Sequence, residues 1–195
     1  MESIPLNHPI SVTVPGAVAG WIELSKKYGN LKIEEILDLG IELCHEGFEI
    51  NEELYNSLTL HKEELSGQAS GYGFYRDNQP FETGKMIRRP QLGKTLELLK
   101  RNGLEYFYDS DITKSISSSV NGILSFDDLK NFKAEWKKPL HSKIYGFDGW
   151  TSPPSTQGYL TLSTLKAIEM LGAEHDDLHR VIETYRIFAA DRDNI

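Results

Sequence analysis

The 195-residue chain contains little cysteine, no long apolar run and no excess of positive charge. Its one cysteine, Cys44, cannot form an intramolecular disulfide or a cysteine-rich zinc site. No apolar stretch approaches the roughly 20 residues that a membrane-spanning helix needs, so we predict no membrane segment. The 29 acidic and 21 basic residues give a net charge of −8, which argues against nucleic acid as a partner because phosphate backbones are also negative.

The composition, with 39% hydrophobic and 26% charged residues, is that of an ordinary globular protein. We find no internal repeat, and the length suits one domain. We therefore predict a single segment, residues 1–195, with no internal domain boundary. Residues 1–5 lack a basic region followed by an apolar stretch, so we predict no signal peptide in this segment. The compartment stays open between the cytoplasm and the periplasm or extracellular space.

Hydrophobic periodicity predicts an α+β chain that is mostly helical. The alternation of apolar and polar residues from Ile10 to Val14 predicts a short strand near the start. The ends of the predicted helices are marked by glycines that stop them and by polar residues that cap them. We expect helices over residues 17–28, 33–46, 51–65, 90–103, 110–120, 127–132, 158–171 and 176–192.

Two stretches interrupt this helical pattern. Residues 66–89 contain several glycines and aromatic residues and predict a long loop that includes a hairpin. Residues 142–152 predict a second β-hairpin, which turns either at Gly146 or at Asp148–Gly149. Pro153 and Pro154 should end its second strand.

The segment 92–95 ends like a phosphate-binding loop. That motif needs a glycine five residues before Gly93, where this sequence has Arg88, and we predict no strand before it. We therefore interpret Lys94 and Thr95 as residues on the exposed side of a helix.

Near the end of the chain, His175, His179 and Glu183 recur every four residues and could share one helix face. Two histidines and a carboxylate can hold zinc or iron. However, His175 precedes the predicted helix, and Asp176 and Asp177 suit its N-terminal cap. We therefore predict no metal site at these residues.

Cys44 and His45 are adjacent, so on a helix their side chains point about 100° apart and do not suit a nucleophile–base pair. Cys44 continues an apolar face and is predicted to lie in the core. No serine lies in a G-x-S-x-G elbow, and the scattered carboxylates identify no catalytic pair. We assign no catalytic, cofactor-binding or metal-binding residue, and we predict no cofactor.

Short motifs follow one another in a fixed order over nearly the whole chain. They are V-P-G-A-V-A-G-W at 14–21, Y-G at 28–29, E-G-F-E-I at 46–50, R-P-Q-L-G-K-T-L at 89–96, F-Y at 107–108, I-L-S-F-D-D-L at 123–129, P-P-S-T-Q-G at 153–158, and a last helix with His179, Glu183 and A-D-R at 190–192. Each motif alone is weak. The ordered set resembles the gamma-glutamyltranspeptidase family.

The resemblance implies a larger αββα fold like that of the N-terminal-nucleophile hydrolases, with this chain as an interior and late part of the large subunit. In that family a precursor cuts itself before a threonine, whose hydroxyl attacks the gamma-glutamyl carbonyl with its own α-amine as base. That threonine lies downstream of the matching region, and the arginine that holds the substrate carboxylate lies upstream. The resemblance therefore assigns no catalytic residue here. Gln157 stands where many members have glycine, which suits a divergent branch of the family.

Two functions follow from the resemblance. In the first, the chain is part of an enzyme that transfers gamma-glutamyl groups, as from glutathione, to water or amino acceptors. Its partner is then the small subunit that carries the threonine; homo-oligomerisation stays open. In the second, the chain is a non-catalytic binding or scaffold module. We favour an interior piece of a larger protein, and we expect exposed apolar surface beside the 142–152 hairpin rather than beside the helices between residues 17 and 132.

Overall fold

Backbone contacts divide the chain into two compact units, Met1–Ala134 and Glu135–Ile195. The structure is a computed structural model, and it describes residues 4, 8–68, 73–172, 177–190 and 192. Because two compact units can belong to one domain, the predicted absence of an internal domain boundary stays a prediction.

Helices form most of the first unit, and their ends follow local signals in the sequence. Pro90 occupies the first turn of the helix predicted from residue 90, and Gly103, at φ +88°, ends it. Ser125 and Asp128 cap a shorter helix reciprocally, as the predicted capping box requires. The helices within the described part of this unit are α1 (Ala17–Tyr28), α2 (Ile33–Glu46), α3 (Glu52–Leu60), α4 (Lys62–Leu65), α5 (Pro90–Asn102), α6 (Asp111–Ser119) and α7 (Phe126–Lys130).

The strand predicted over residues 10–14 is wrong. Pro9–Ser11 instead forms a single 3-10 turn. The Ile10 N–H donates to His8 Nδ1 at 3.2 Å, and the Val12 N–H donates to the Pro9 carbonyl at 3.1 Å. These local bonds use the amides that a strand would give to a neighbour, and proline at the first position favours the turn.

The helix predicted over residues 51–65 is interrupted at His61. Asn51 caps α3 as expected, because its side chain accepts the Leu54 N–H at 2.8 Å. At His61 the backbone reaches φ −99° and ψ 20°, which ends α3 and separates it from α4.

The irregular stretch that follows α4 contains the predicted hairpin. Strand β2 (Tyr75–Arg76) pairs antiparallel with β3 (Gln79–Pro80). A second pair joins β1 (Phe48–Glu49) to β4 (Met86–Ile87), which ties this stretch back to the end of α2. Residues 69–72 of the stretch lie outside the described residues.

The core of the first unit forms where α2 and α5 pack antiparallel. Leu96 contacts the position of Gly40. A side chain at Gly93 would meet His45 and Cys44 at 2.8–3.1 Å, so a larger residue there would force these neighbours to shift. Buried residues around the crossing include Val18, Ala19, Leu37, Leu99, Leu104 and Tyr108. Cys44 is only 6% exposed, which confirms it as a core residue.

The Tyr108 hydroxyl joins this core to the start of α1. It donates to the Pro15 carbonyl at 2.6 Å and accepts the Ala19 N–H at 3.0 Å. Burial raises the pKa of Tyr108, and the bond from the Ala19 N–H offsets part of that rise. The turn at Pro15–Gly16 is thereby held against the core.

The second unit consists of a β-hairpin and two helices, with β5 (Leu140–Ile144), β6 (Phe147–Thr151), α8 (Gly158–Met170) and α9 (Leu178–Ala190). The register pairs Ile144 with Phe147, so the two-residue turn is Tyr145–Gly146, and both have positive φ (50° and 82°).

Of the two predicted turns, the one at Gly146 is therefore correct. Asp148 and Gly149 lie within β6. A side chain at Gly149 would meet Leu162 Cδ2 at 2.8 Å, so the glycine serves close packing on α8 rather than a turn.

Exposed apolar side chains occur beside the hairpin, as expected, but also on the helices. Phe147 is 79% exposed, Trp150 61% and Met170 78%. The expectation that such surface would be absent beside the helices of residues 17–132 is wrong, because Ile36, Leu39 and Leu43 form an exposed stripe along α2. The cause is that α2 uses only its opposite face to pack on α5. Among the described residues, no helix is long and apolar enough to cross a membrane.

Candidate functional site

The second unit contains a cavity of about 420 Å³ between β5 and the helices α8 and α9. Its size lies within the range of small-molecule sites, and its walls combine a mainly apolar surface with a few polar groups. Leu140, Leu162, Met170 and Phe188 supply apolar wall, and the polar groups belong to His141, Ser142, Tyr159, Ser163 and Lys166.

A pair of charged residues on α8 holds the hairpin beside this cavity. Lys166 Nζ donates to Glu169 Oε2 at 2.6 Å and to the Lys143 carbonyl at 2.9 Å. Glu169 Oε1 accepts the Tyr145 N–H at 2.6 Å. The bond from Lys166, followed by the one from the Tyr145 N–H, holds the pKa of Glu169 below its ordinary value.

His141 lies on the hairpin at the edge of the cavity. Its Nε2 is 2.7 Å from Asp148 Oδ1, and its ring lies 4.1 Å from the Trp150 ring, centroid to centroid. Both partners belong to the neighbouring strand, so the three side chains form a cross-strand group on one face of the hairpin.

Two buried hydroxyls on α8 lack hydrogen-bond partners within the described residues. They are Tyr159 Oη and Thr164 Oγ1. A buried hydroxyl without a partner costs about 1–3 kcal/mol, and native proteins contain few of them. Among the described residues, the buried side-chain hydroxyls without a partner therefore both belong to α8.

The P-P-S-T-Q-G motif forms the link between β6 and α8, as its prolines predicted. Strand β6 ends at Thr151, and α8 begins at Gly158. The Thr156 hydroxyl donates to the carbonyls of Ser152 and Pro153. A side chain at Gly158 would overlap the Thr151 side chain, so only glycine allows the helix to start against the strand.

The residues of the incomplete phosphate-loop pattern lie on α5. Lys94 is exposed, and the Thr95 hydroxyl donates to the Gln91 carbonyl at 3.1 Å. The prediction that no strand precedes them is wrong, because β4 ends shortly before α5. The pairing of β4 with β1 comes from a contact about 40 residues away along the chain, which local periodicity does not reveal.

The remaining sequence candidates do not come together as a site. His45 Nε2 lies 2.9 Å from Glu97 Oε1, whereas Cys44 is buried beside Gly93. Glu183 Oε1 accepts from Arg186 at 2.8 Å on α9.

His175 and Asp176 lie outside the described residues, and within the described ranges no three His, Cys, Asp or Glu side chains form a metal-binding group. The absence of a metal at His175, His179 and Glu183 stays a prediction.

Sequence reasoning missed the group formed by Lys166, Glu169 and the Tyr145 amide. The i,i+3 spacing of the charged pair is visible, but such pairs are common on exposed helices. What distinguishes this pair is a contact to a turn 24 residues away, which no local pattern reveals.

Comparison with known proteins identifies the family. The gamma-glutamyltranspeptidase family model matches residues 1–195. The capsule biosynthesis protein CapD proenzyme of Bacillus anthracis is 31% identical over 163 residues, which cover 84% of this chain and 30% of that protein. The glutathione hydrolase proenzyme of Bacillus subtilis (strain 168) is 26% identical over 196 residues, covering 96% and 33%. The chain thus spans about a third of the length of these curated relatives.

Solved structures agree with this assignment. The crystal structure of the Bacillus anthracis transpeptidase CapD has a TM-score of 0.84 at 29% identity. The matched region covers 94% of this chain and 66% of the CapD chain. The crystal structure of the Helicobacter pylori gamma-glutamyltranspeptidase has a TM-score of 0.83 at 24% identity, and the matched region covers 99% of this chain and 59% of that one. At this identity the likeness supports the fold alone.

These likenesses confirm the predicted fold class, α+β and mostly helical, as found in the N-terminal-nucleophile hydrolases. Because the family model spans the whole sequence and one relative is 31% identical over most of it, the chain belongs to the gamma-glutamyltranspeptidase family.

Proposed function

We propose that this chain is part of an enzyme that transfers gamma-glutamyl groups to water or to an amino acceptor. The observation that carries the proposal is the family match over residues 1–195, together with relatives named transpeptidase and glutathione hydrolase. The chemistry is acyl transfer through a covalent intermediate, in which the substrate's gamma carbonyl is attacked by a nucleophile and then released to the acceptor.

The nucleophile, in this proposal, lies outside these 195 residues. The motifs that this chain shares with the family do not include the threonine at the cleavage site. The structure instead contains a helical unit and a hairpin unit. Within the hairpin unit, polar side chains pair with one another, such as Glu169 with Lys166 and His141 with Asp148. The chain's role is then to build the wall around the reacting groups and to carry part of the subunit interface.

The partner in this proposal is the rest of the same protein, including a small subunit. The curated relatives quoted above are named proenzymes, and this chain spans about a third of their length. Phe147, Trp150 and Met170, which are exposed beside the hairpin, supply the kind of apolar surface that a partner would cover. The exposed stripe on α2 is a second surface of that kind.

An activity assay separates this proposal from the alternative of a non-catalytic module. We expect the purified 195-residue chain to leave a chromogenic gamma-glutamyl anilide unchanged, because it lacks the nucleophile. The product of the complete open reading frame should cleave itself and release the chromophore. Turnover by the chain alone that survives repurification and disappears on substitution of one of its residues would contradict the proposal. A complete product that never cleaves itself and never turns over the anilide would support the module.

A further inference from the structure

The exposed stripe on α2 has the spacing of a contact between two helices. Ile36, Leu39 and Leu43 recur at i, i+3 and i+7, the positions through which one helix packs against another. Leu39, in the middle, is 64% exposed. Single apolar side chains on a surface need no explanation, whereas three in this register form a continuous seam. We propose that the stripe is the docking site of an amphipathic helix that belongs to the same polypeptide outside residues 1–195 and carries basic side chains beside its apolar face.

The charges beside the stripe indicate what its partner carries. Glu35 and Glu42 each directly precede an apolar residue of the stripe, so both lie along one edge of it, the edge that carries interhelical charge pairs in coiled coils. Both are exposed, and neither forms an ion pair with the described residues. On the other side of α2, by contrast, Asp38 pairs with Lys100 of α5. The glutamate edge therefore favours a partner helix with lysine or arginine at the facing positions.

The size of the stripe favours a tethered helix over a separate molecule. Lys32 and Glu46 bound the stripe at its two ends, so it is about two turns long. Three apolar side chains expose far less than the roughly 800 Å² per partner of a stable interface between separate proteins. A segment of the same chain needs fewer contacts, because linkage raises its effective concentration to about the millimolar range.

The rest of the polypeptide is long enough to supply this helix. The proenzymes quoted above are about three times as long as the region that this chain matches. This step rests on the proposed function, in which the chain is part of such a protein. A second copy of the chain is a poorer occupant, because antiparallel pairing of two stripes would set Glu35 and Glu42 against their own counterparts.

Thiol labelling compares the 195-residue chain with the product of the complete open reading frame. With Cys44→Ala as background, the cysteine of Leu39→Cys should react at least about tenfold more slowly in the complete product, because the docked helix covers it. Leu43→Cys is a second reporter, so that the loss of one apolar contact does not decide the result. Glu34→Cys is the matched control, since Glu34 is an exposed residue of the same helix off the stripe, and it should react equally in both proteins. Mass spectrometry of the labelled peptide separates these cysteines from others in the protein.

Charge reversal tests the basic edge of the partner. In the complete product, Glu35→Lys combined with Glu42→Lys should raise the reactivity of the Leu39→Cys thiol several-fold, whereas Glu34→Lys should leave it unchanged. Protection by a helix of the same molecule does not depend on protein concentration. Protection that grows with concentration, and also appears in the 195-residue chain, would mean that a second copy covers the stripe and would overturn the proposal.

The outcomes separate this docking site from the proposed function. Equal reactivity of both stripe cysteines in the two proteins, in a complete product that turns over the gamma-glutamyl anilide, would overturn the docking site and leave the function standing. Protection of both cysteines in a complete product without turnover would support the docking site and count against the function.

Discussion

The two units of this chain are stabilised in different ways. In Met1–Ala134, helices α1, α2 and α5 bury a shared apolar core, and the Tyr108 hydroxyl has two partners within it. In Glu135–Ile195, the buried apolar side chains among the described residues are Ile144, Leu160 and Ile168, and two buried hydroxyls have no partner within the same described part. Both units leave apolar side chains exposed, such as Leu39 in the first and Phe147 in the second. Within the described residues, the buried side-chain polar atoms that lack a partner belong to the second unit alone.

The largest expected effect comes from removing one core leucine in each unit. Leu129 is 0% exposed and Leu160 is 2% exposed. We expect Leu129→Ala and Leu160→Ala each to lower the free energy of unfolding by about 3 kcal/mol, the usual cost of a buried cavity. Hydrogen exchange should show the lost protection confined to the unit that carries the substitution. If either variant exposes both units equally, they unfold as one and the comparison between them fails.

A smaller and more selective effect is expected from two tyrosine hydroxyls. Tyr108→Phe leaves the Ala19 N–H and the Pro15 carbonyl without their partner, so it should lower the free energy of unfolding by about 1–2 kcal/mol. Tyr159→Phe removes a hydroxyl that has no partner within the described residues and should leave that free energy unchanged or slightly higher. Urea unfolding of both variants measures the difference. Equal losses would mean that Tyr159 has a partner after all.

Much of the first unit could be predicted from sequence because its signals are local. Pro90 and Gly103 delimit α5, and the Ser125–Asp128 capping box begins α7. The strand at 10–14 could not be excluded in this way, because alternation does not reveal that Pro9 starts a 3-10 turn.

The second unit could be predicted less completely because its contacts join distant residues. The sequence left two turns open, at Gly146 and at Asp148–Gly149, and the register that pairs Ile144 with Phe147 places the turn at Gly146. Gly149 instead packs against Leu162. The bond from the Tyr145 N–H to Glu169 crosses 24 residues, so no periodicity predicts it. The cavity beside it was missed for the same reason.

The smallest expected effect is a difference in acid response. The pKa values of Asp128 in the first unit and Glu169 in the second lie below their ordinary values of 3.8 and 4.5, because Ser125 donates to one carboxylate and Lys166 to the other. A lowered native pKa gives stability that is present above the ordinary pKa and is lost as pH falls through the native pKa. Carboxyl NMR titration should therefore give midpoints below 3.8 and 4.5.

Glu169→Gln tests whether the acid response of the second unit is separate from that of the first. It should abolish the acid-dependent loss of hairpin protection and leave the acid response of α7 unchanged. A titration midpoint for Glu169 at or above 4.5 would mean that the bonds from Lys166 and Tyr145 do not favour its charged form in solution.

The most direct test of the proposed function is to locate the nucleophile. The product of the complete open reading frame is treated with an electrophilic glutamine analogue that forms a covalent bond with the attacking group, and the labelled residue is mapped by mass spectrometry. We predict one label per molecule, on a threonine outside these 195 residues, with the 195-residue chain alone remaining unlabelled. A stoichiometric label on any residue numbered 1–195, lost when that residue is substituted, would contradict the account.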